Sequence, residues 1–253
     1  MPRATTRSNA ARLSRPAKVA EAIKDLVVEQ GLGAGDRLPS ELELMERFGM
    51  AKGTIREAMR IVEAQGLIKT RTGPGGGSFV HEVSKERARA LLGNYFYFKN
   101  LTISDIYQMR RALEPELAAS LAGHLSEDVL AELEAIIATY SEPATSADEE
   151  REQHVASLRF HALLAAQSDN ELMGFLIDFM VNILSELTVY RRLYSPRNLE
   201  LWRRGRAFQA ELVAALRTGA SDKARKVMAA HMEMAQTHME GQEAEMLRRF
   251  ISG

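Results

Sequence analysis

Apolar residues recur at three- and four-residue intervals along most of the chain, and only one short stretch departs from that rhythm. Val19, Ile23, Leu26 and Val27 predict a helix over residues 15–30, ended by Gly31, Gly33 and Gly35. A second helix is predicted to begin at Ser40, where Ser40-x-x-Glu43 forms a capping box behind Pro39. Leu42, Leu44, Met45 and Phe48 fit a short buried face, and Gly49 stops the helix. A third helix follows over residues 52–63, with Ile55, Ala58, Met59 and Val62 toward a core. That leaves Lys52, Gly53, Thr54 and Arg56 at its exposed N-terminal end. Residues 67–71 and 78–81 then flank a Gly-Pro-Gly-Gly-Gly tip, the signature of a β-hairpin.

From residue 84 onward the helical rhythm returns. It predicts helices over residues 85–99, 104–123, 127–140, 147–167, 170–194, 198–218 and 221–245, broken at positions such as Pro143, Ser168-Asp169, Pro196 and Gly219. No strand pattern and no repeat appears there. The expected fold is mainly α: an N-terminal winged helix-turn-helix followed by an all-α bundle. The expected divisions are a basic arm at residues 1–15, the winged unit at 16–82 and the helical unit at 83–253.

Two short helices joined by a tight glycine-containing turn occur in many cores. The glycine-tipped wing directly after the second, and the basic and hydroxyl residues at that helix's start, favour a DNA reader instead. Charge supports this modestly. Residues 1–82 carry 13 Lys/Arg against 10 Asp/Glu, whereas the whole chain has a net charge of -1. Arg3, Arg7, Arg12 and Arg15 lie in a tail whose first fifteen residues hold no acid. Such a tail is either solvated or an arm that tracks phosphates. The chain has no cysteine, which excludes disulfides and thiolate metal sites and agrees with a cytoplasmic location. No run approaches 18 consecutive apolar residues, so no membrane span is expected, and the basic N-terminus lacks an apolar signal core. No nucleophile–base constellation, His-Glu-x-x-His or phosphate loop is present, which argues against an enzyme.

The segments DRLPSE, TIREAM, EAQGLI and GGGSFV resemble, in order and spacing, the winged helix-turn-helix of the GntR family of transcriptional regulators. Met50-Ala51-Lys52 stands where that family commonly has Val-Ser-Arg. Lysine offers a point charge in place of a bidentate fork, so Lys52 is expected on phosphate or on a base with less discrimination. The resemblance implies that Arg56 and Lys52 lead the DNA contacts, with Gly53 and Thr54 fixing register. Thr72 and Gly73 would bring the wing onto the duplex. Arg37 would hold a phosphate, and Ser40 and Glu41 would orient the first helix of the pair. The partner implied is double-stranded DNA with a near-palindromic operator, read by a homodimer.

Ile106–Glu114 (IYQMRRALE), the Phe160-His161 pair and LVAALRTGASDKA after Gln209 resemble the effector-binding domain of the FadR-type branch. That branch often holds a divalent metal, such as zinc or nickel, with one Asp and three His. The matching positions here are Ser157, His161, Gln209 and His231. Two of the four ligands survive, which leaves three outcomes open: a metal on His161 and His231, a metal-free polar pocket formed by all four, or two ordinary satisfied histidines in a helical core. His154, a further two turns along the same helix, would have to lean strongly inward to join them. Arg110 matches the family's arginine near the effector and lies near the edge of an apolar face marked by Ile106, Met109, Leu113 and Leu117. It suits a carboxylate, though an ion pair with Glu114 is an equal alternative. The effector implied is an organic acid or an acyl thioester. Clusters at Arg191-Arg192 and Arg203-Arg204-Gly205-Arg206 suit solvated helix ends, and a phosphate-bearing effector would use them too. Tyr95, Phe96, Tyr97 and Phe98 suit a domain or dimer contact. Met228, Met232, Met234 and Met239 read as packing residues of the last helix. The rival functions are a non-specific architectural DNA protein and, further off, a metal-dependent enzyme.

Overall fold

The computed structural model describes residues 13–99, 101–190 and 193–252, with side chains of residues 190 and 245–252 left aside. Most of the basic arm, including Arg3, Arg7 and Arg12, lies outside the described residues, as do Arg191 and Arg192. The chain divides after Ala88 into two compact units. That is six residues beyond the boundary expected from sequence, because Arg87 Nη2 donates to the Ala64 carbonyl at 2.9 Å and ties the following helix's first turn to the N-terminal unit.

The N-terminal unit runs α1 (Arg15–Glu29), α2 (Glu41–Phe48), α3 (Lys52–Ala64), β1 (Ile68–Arg71) and β2 (Gly77–Val80). Ser14 caps α1 and Pro16 occupies its first turn, where a missing N–H costs nothing. Val19, Ile23 and Leu26 of α1 meet Leu44, Ile55, Ala58 and Val62 in one small core. The capping box at Ser40 forms with both of its bonds, and Gly49 ends α2 at φ 62°, a left-handed turn that costs other residues a Cβ clash. Leu42 departs from expectation: it is 63% exposed. Residues two apart on a helix face opposite ways, so Leu42 cannot share the face of buried Leu44. The hairpin pairs antiparallel, with Ile68 opposite Val80.

The C-terminal unit carries most of α4 (Lys85–Tyr97), then α5 (Ile103–Leu121), α6 (Glu127–Ala138), α7 (Ala147–Ala165), α8 (Glu171–Tyr190), α9 (Leu199–Arg217) and α10 (Ser221–Ser252). Side-chain caps from Thr102, Ser126, Ser146 and Asn198 start α5, α6, α7 and α9. α5 runs through the middle, packed on α10 and α8. Ile106, Leu117, Leu133, Phe160, Leu164, Ile177, Leu184, Leu212 and Leu216 belong to its core. Met228, Met232, Met234 and Met239 are all buried, as packing residues should be. Met109 is a correction: it is 48% exposed, and Tyr107 and Arg110 take the buried side of α5 in its place. Leu193 and Tyr194, which the sequence placed in the same helix as residues 170–190, form a turn, and α10 continues to Ser252, beyond residue 245.

α8 is long and apolar enough to cross a membrane by length and composition, with mean hydropathy 1.6 over Glu171–Val189. Here Ile177, Val181 and Leu184 sit in the bundle core. Asp178 pairs with Arg89 at 2.9 Å. α4 buries no residue fully. Phe96 packs on Phe179, whereas Tyr95, Tyr97 and Phe98 remain exposed.

Candidate functional sites

In the N-terminal unit, the buried face of α3 is the one its spacing predicts, so its opposite face is presented outward. Lys52, Gly53 and Arg56 are exposed and Thr54 is half-buried. Ala51 precedes the helix without any side-chain cap. The first amides of α3 therefore have no side-chain acceptor, and they carry the positive end of the helix dipole. Arg56 Nε donates to both carboxylate oxygens of Glu41, each at 3.1 Å, with both side chains substantially exposed. Glu41 thus bears on Arg56 directly as well as on the start of α2.

Arg37 does more than lie near the start of α2. Its backbone bridges Phe79, and its guanidinium donates to the Gly76 carbonyl at 2.8 Å. A Cβ on Gly77 would meet Arg37 Nε at 2.9 Å, and one on Gly76 would meet the Arg71 carbonyl at 2.6 Å. The glycines of the tip let the wing close on this arginine. Arg71 in turn lies over the Phe79 ring. Thr72 and Gly73 stand exposed at the tip.

In the C-terminal unit, Arg110, Tyr140, Ser157, His161 and His231 line one cavity of roughly 620 Å³, open mouth included. Arg110 is only 1% exposed, deeper than its place at the edge of the apolar face suggested. Its Nε donates to Glu114, which is equally buried, and Glu114 also takes His161 Nδ1. Burial alone would push the Glu114 carboxyl up, but the Arg110 guanidinium and the His161 ring hold it down at about 2. The His161 and His231 rings stack with Nε2 atoms 3.3 Å apart. Burial lowers both pKa values, for His231 with added opposition from His161 and Arg110. His154, in the same wall, falls to about 4 through burial and the nearby Arg110 charge.

Neutrality fixes the direction of this chain of bonds. His161 Nδ1–H donates to Glu114, so its Nε2 accepts from His231 Nε2–H. That leaves His231 Nδ1 as an acceptor, and it has no partner. Arg110 Nη2, a buried donor, has none either. A second network holds Gln209, which is fully buried. The Tyr140 hydroxyl donates to its Oε1, and its Nε2 donates to the Ser157 carbonyl and hydroxyl, both at 3.2 Å. Burial raises the Tyr140 pKa, so the phenol keeps its proton.

The structure therefore gathers Arg110, Ser157, His161 and His231 in one cavity wall, with Gln209 buried behind it on Ser157 and Tyr140. Sequence reasoning weighed Glu114 only as a competitor for Arg110 and missed Tyr140, whose position at the end of α6 carries no local signal. It also grouped Arg206 with its neighbours. Arg203 and Arg204 pair with Glu200 along the helix, whereas Arg206 lines the cavity.

The four positions matching a family metal site do not fit a divalent ion. Gln209 and Ser157 bond each other, and both Glu114 oxygens are engaged by Arg110 and His161. Among the described residues no group of three or more His, Cys, Asp or Glu is arranged to hold a metal.

Comparison with known proteins agrees with both units. The chain shares 26% identity over 171 residues with the Glc operon transcriptional activator of Escherichia coli strain K12, covering 66% of this chain and 65% of that protein. It thus spans just under two thirds of that relative's length. It shares 27% over 155 residues with the HTH-type transcriptional regulator LutR of Bacillus subtilis strain 168, covering 61% and 68%. The solved structure of Streptococcus agalactiae GntR has the same fold, with a TM-score of 0.57 and 22% identity, covering 88% of this chain and 99% of that one. The profile of the bacterial regulatory proteins, gntR family, matches residues 16–80, and that of the FCD domain matches residues 105–234. The chain belongs to the gntR family of bacterial regulatory proteins, in the branch whose C-terminal unit is an FCD domain.

Proposed function

We propose that this protein is a sequence-specific DNA-binding transcriptional regulator, acting in the cytoplasm, whose operator affinity answers to a small organic anion in the helical unit. The observation that carries the DNA reading is the outward end of α3, where Lys52, Gly53, Thr54 and Arg56 stand together, with Thr72 and Gly73 exposed at the wing tip of the same unit. Arg56 reads a base edge with Glu41 holding its guanidinium, and Lys52 with the uncapped α3 amides takes phosphate. Thr72 and Gly73 set the wing on the backbone. Ser40 fixes the start of α2 through its capping box. Arg37 acts mainly by anchoring the wing, with phosphate contact secondary. The exposed Tyr95 and Tyr97 on α4, and Phe98 just after it, support pairing of two chains, which would present two α3 helices to a near-palindromic operator.

The pocket reading rests on Arg110. A buried guanidinium with one uncommitted nitrogen favours an incoming carboxylate or other anionic oxygen. Ser157, His161, Gln209 and His231 shape the rest of the cavity. Site selection from random duplexes tests the first half. Its winner should bind about 10³-fold or more tightly than unrelated DNA at physiological salt. Equal affinity for all duplexes, with a steep salt dependence alone, would make it an architectural DNA protein instead. Screening organic acids and acyl thioesters against that complex tests the second half.

A further inference from the structure

We infer that this chain's effector pocket works without a divalent metal, because Ser157 and Gln209 have turned a ligand sphere into a closed hydrogen-bond network. The inference rests on the reading of this cavity as the effector site. The first argument is donor chemistry. A divalent ion in a protein is normally held by anionic or imidazole ligands, at least three of them. Here a serine hydroxyl and a neutral amide stand at two of the four positions, and each is already bonded. The Gln209 carbonyl oxygen takes the Tyr140 hydroxyl, and the Gln209 amide donates to the Ser157 hydroxyl. Turning either toward an ion would leave a buried phenol or amide without a partner.

The second argument is charge. The carboxylate nearest the histidines, Glu114, is balanced by Arg110 and bonded to both Arg110 and His161. Arg110 and Glu114 therefore cancel each other's charge, and none of the four matched positions adds an anionic ligand for a dication. The two histidines, 3.3 Å apart at Nε2, satisfy each other as donor and acceptor. The buried groups of this wall left without a partner are one cationic donor, Arg110 Nη2, and two acceptors, His231 Nδ1 and Gln153 Oε1. They suit a ligand's own oxygens and hydroxyls. The ligand's anionic end therefore meets Arg110 directly, and binding does not depend on a chelatable ion.

The test is metal content of the full chain after equilibration with zinc and removal of free ion. The unchanged chain should retain less than about 0.1 zinc, and Ser157→Asp/Gln209→His about one per chain, lost again on adding His161→Ala. Retention of about one zinc by the unchanged chain, lost in His161→Ala, would overturn the inference. So would a folded double variant that binds zinc no better than the parent, since the exclusion would then lie elsewhere. Folding is checked by circular dichroism and by binding of the selected duplex. Should the double variant fail to fold, cobalt(II) titration of the unchanged chain decides: no ligand-field absorption supports the inference, and tetrahedral bands overturn it. Operator binding that survives while zinc is absent separates this result from failure of the DNA reading.

Discussion

Two arginine–glutamate pairs in this protein use the same chemistry in opposite surroundings. Arg56 and Glu41 meet on the N-terminal unit with side chains 56% and 40% exposed, whereas Arg110 and Glu114 meet at 1% each. An exposed pair is screened and contributes about 0–1 kcal/mol, so Arg56 can leave Glu41 for DNA at little cost. The buried pair is different in kind. Its members were removed from water at a penalty, and removing one partner strands the other charge. Water access thus leaves one arginine free to exchange partners and fixes the other in its pocket.

The largest effect should come from breaking the buried pair. Glu114→Gln is expected to destabilise the C-terminal unit by about 3–5 kcal/mol, read by chemical denaturation, because Arg110 loses its counter-charge. Arg110→Met/Glu114→Met should cost clearly less than Glu114→Gln alone. If the single and double variants cost the same, the pair is not the coupled unit described here.

Acid should separate the two regions next. The folded pKa of His154 is depressed to about 4 and those of His161 and His231 are also lowered, against an unfolded value near 6.5. Above that value both states are neutral and nothing is lost. As pH falls from about 6.5 toward 4 the unfolded chain takes protons that the folded pocket refuses, so stability falls. Glu114, held at about 2 against an ordinary 4.5, keeps its contribution above about pH 5 and loses it as pH falls from about 4.5 toward 2. Thermal unfolding of the helical unit should therefore shift down between pH 7 and pH 5. An unchanged midpoint would contradict the burial of these rings in neutral form.

On the exposed side, Arg56→Ala is expected to cost about 1–3 kcal/mol of operator affinity and to relax preference at one base position. Stability should change by less than about 1 kcal/mol. If base preference is untouched and only the salt slope falls, Arg56 contacts phosphate. The smallest effect belongs to Ser40→Ala, which removes a capping box and should lower stability by about 1 kcal/mol, seen in thermal denaturation.

The winged unit was legible because its signals are local. The spacing of Ile55, Ala58, Met59 and Val62, the Ser40–Glu43 box and the glycine tip each specify structure within a few residues. Leu42 was misplaced by counting apolar residues without their angular positions. The pocket was legible only in part, since its bonds join residues far apart: Glu114 to His161 across 47 positions and Tyr140 to Gln209 across 69. A lone arginine on an amphipathic helix gives no sign of full burial. That follows from His161 on α7 and Glu114 converging on the same point.

On the proposed function, an anion seated on Arg110 controls DNA binding by the winged unit. The most direct measurement is the dissociation constant for the selected duplex, with and without organic acids, for the unchanged chain and Arg110→Lys. Lysine keeps the charge beside Glu114 but removes the guanidinium fork. At least one acid should shift the constant by about tenfold or more in the unchanged chain, within the usual range of allosteric coupling, and much less in Arg110→Lys. An equal response in both proteins would contradict the claim.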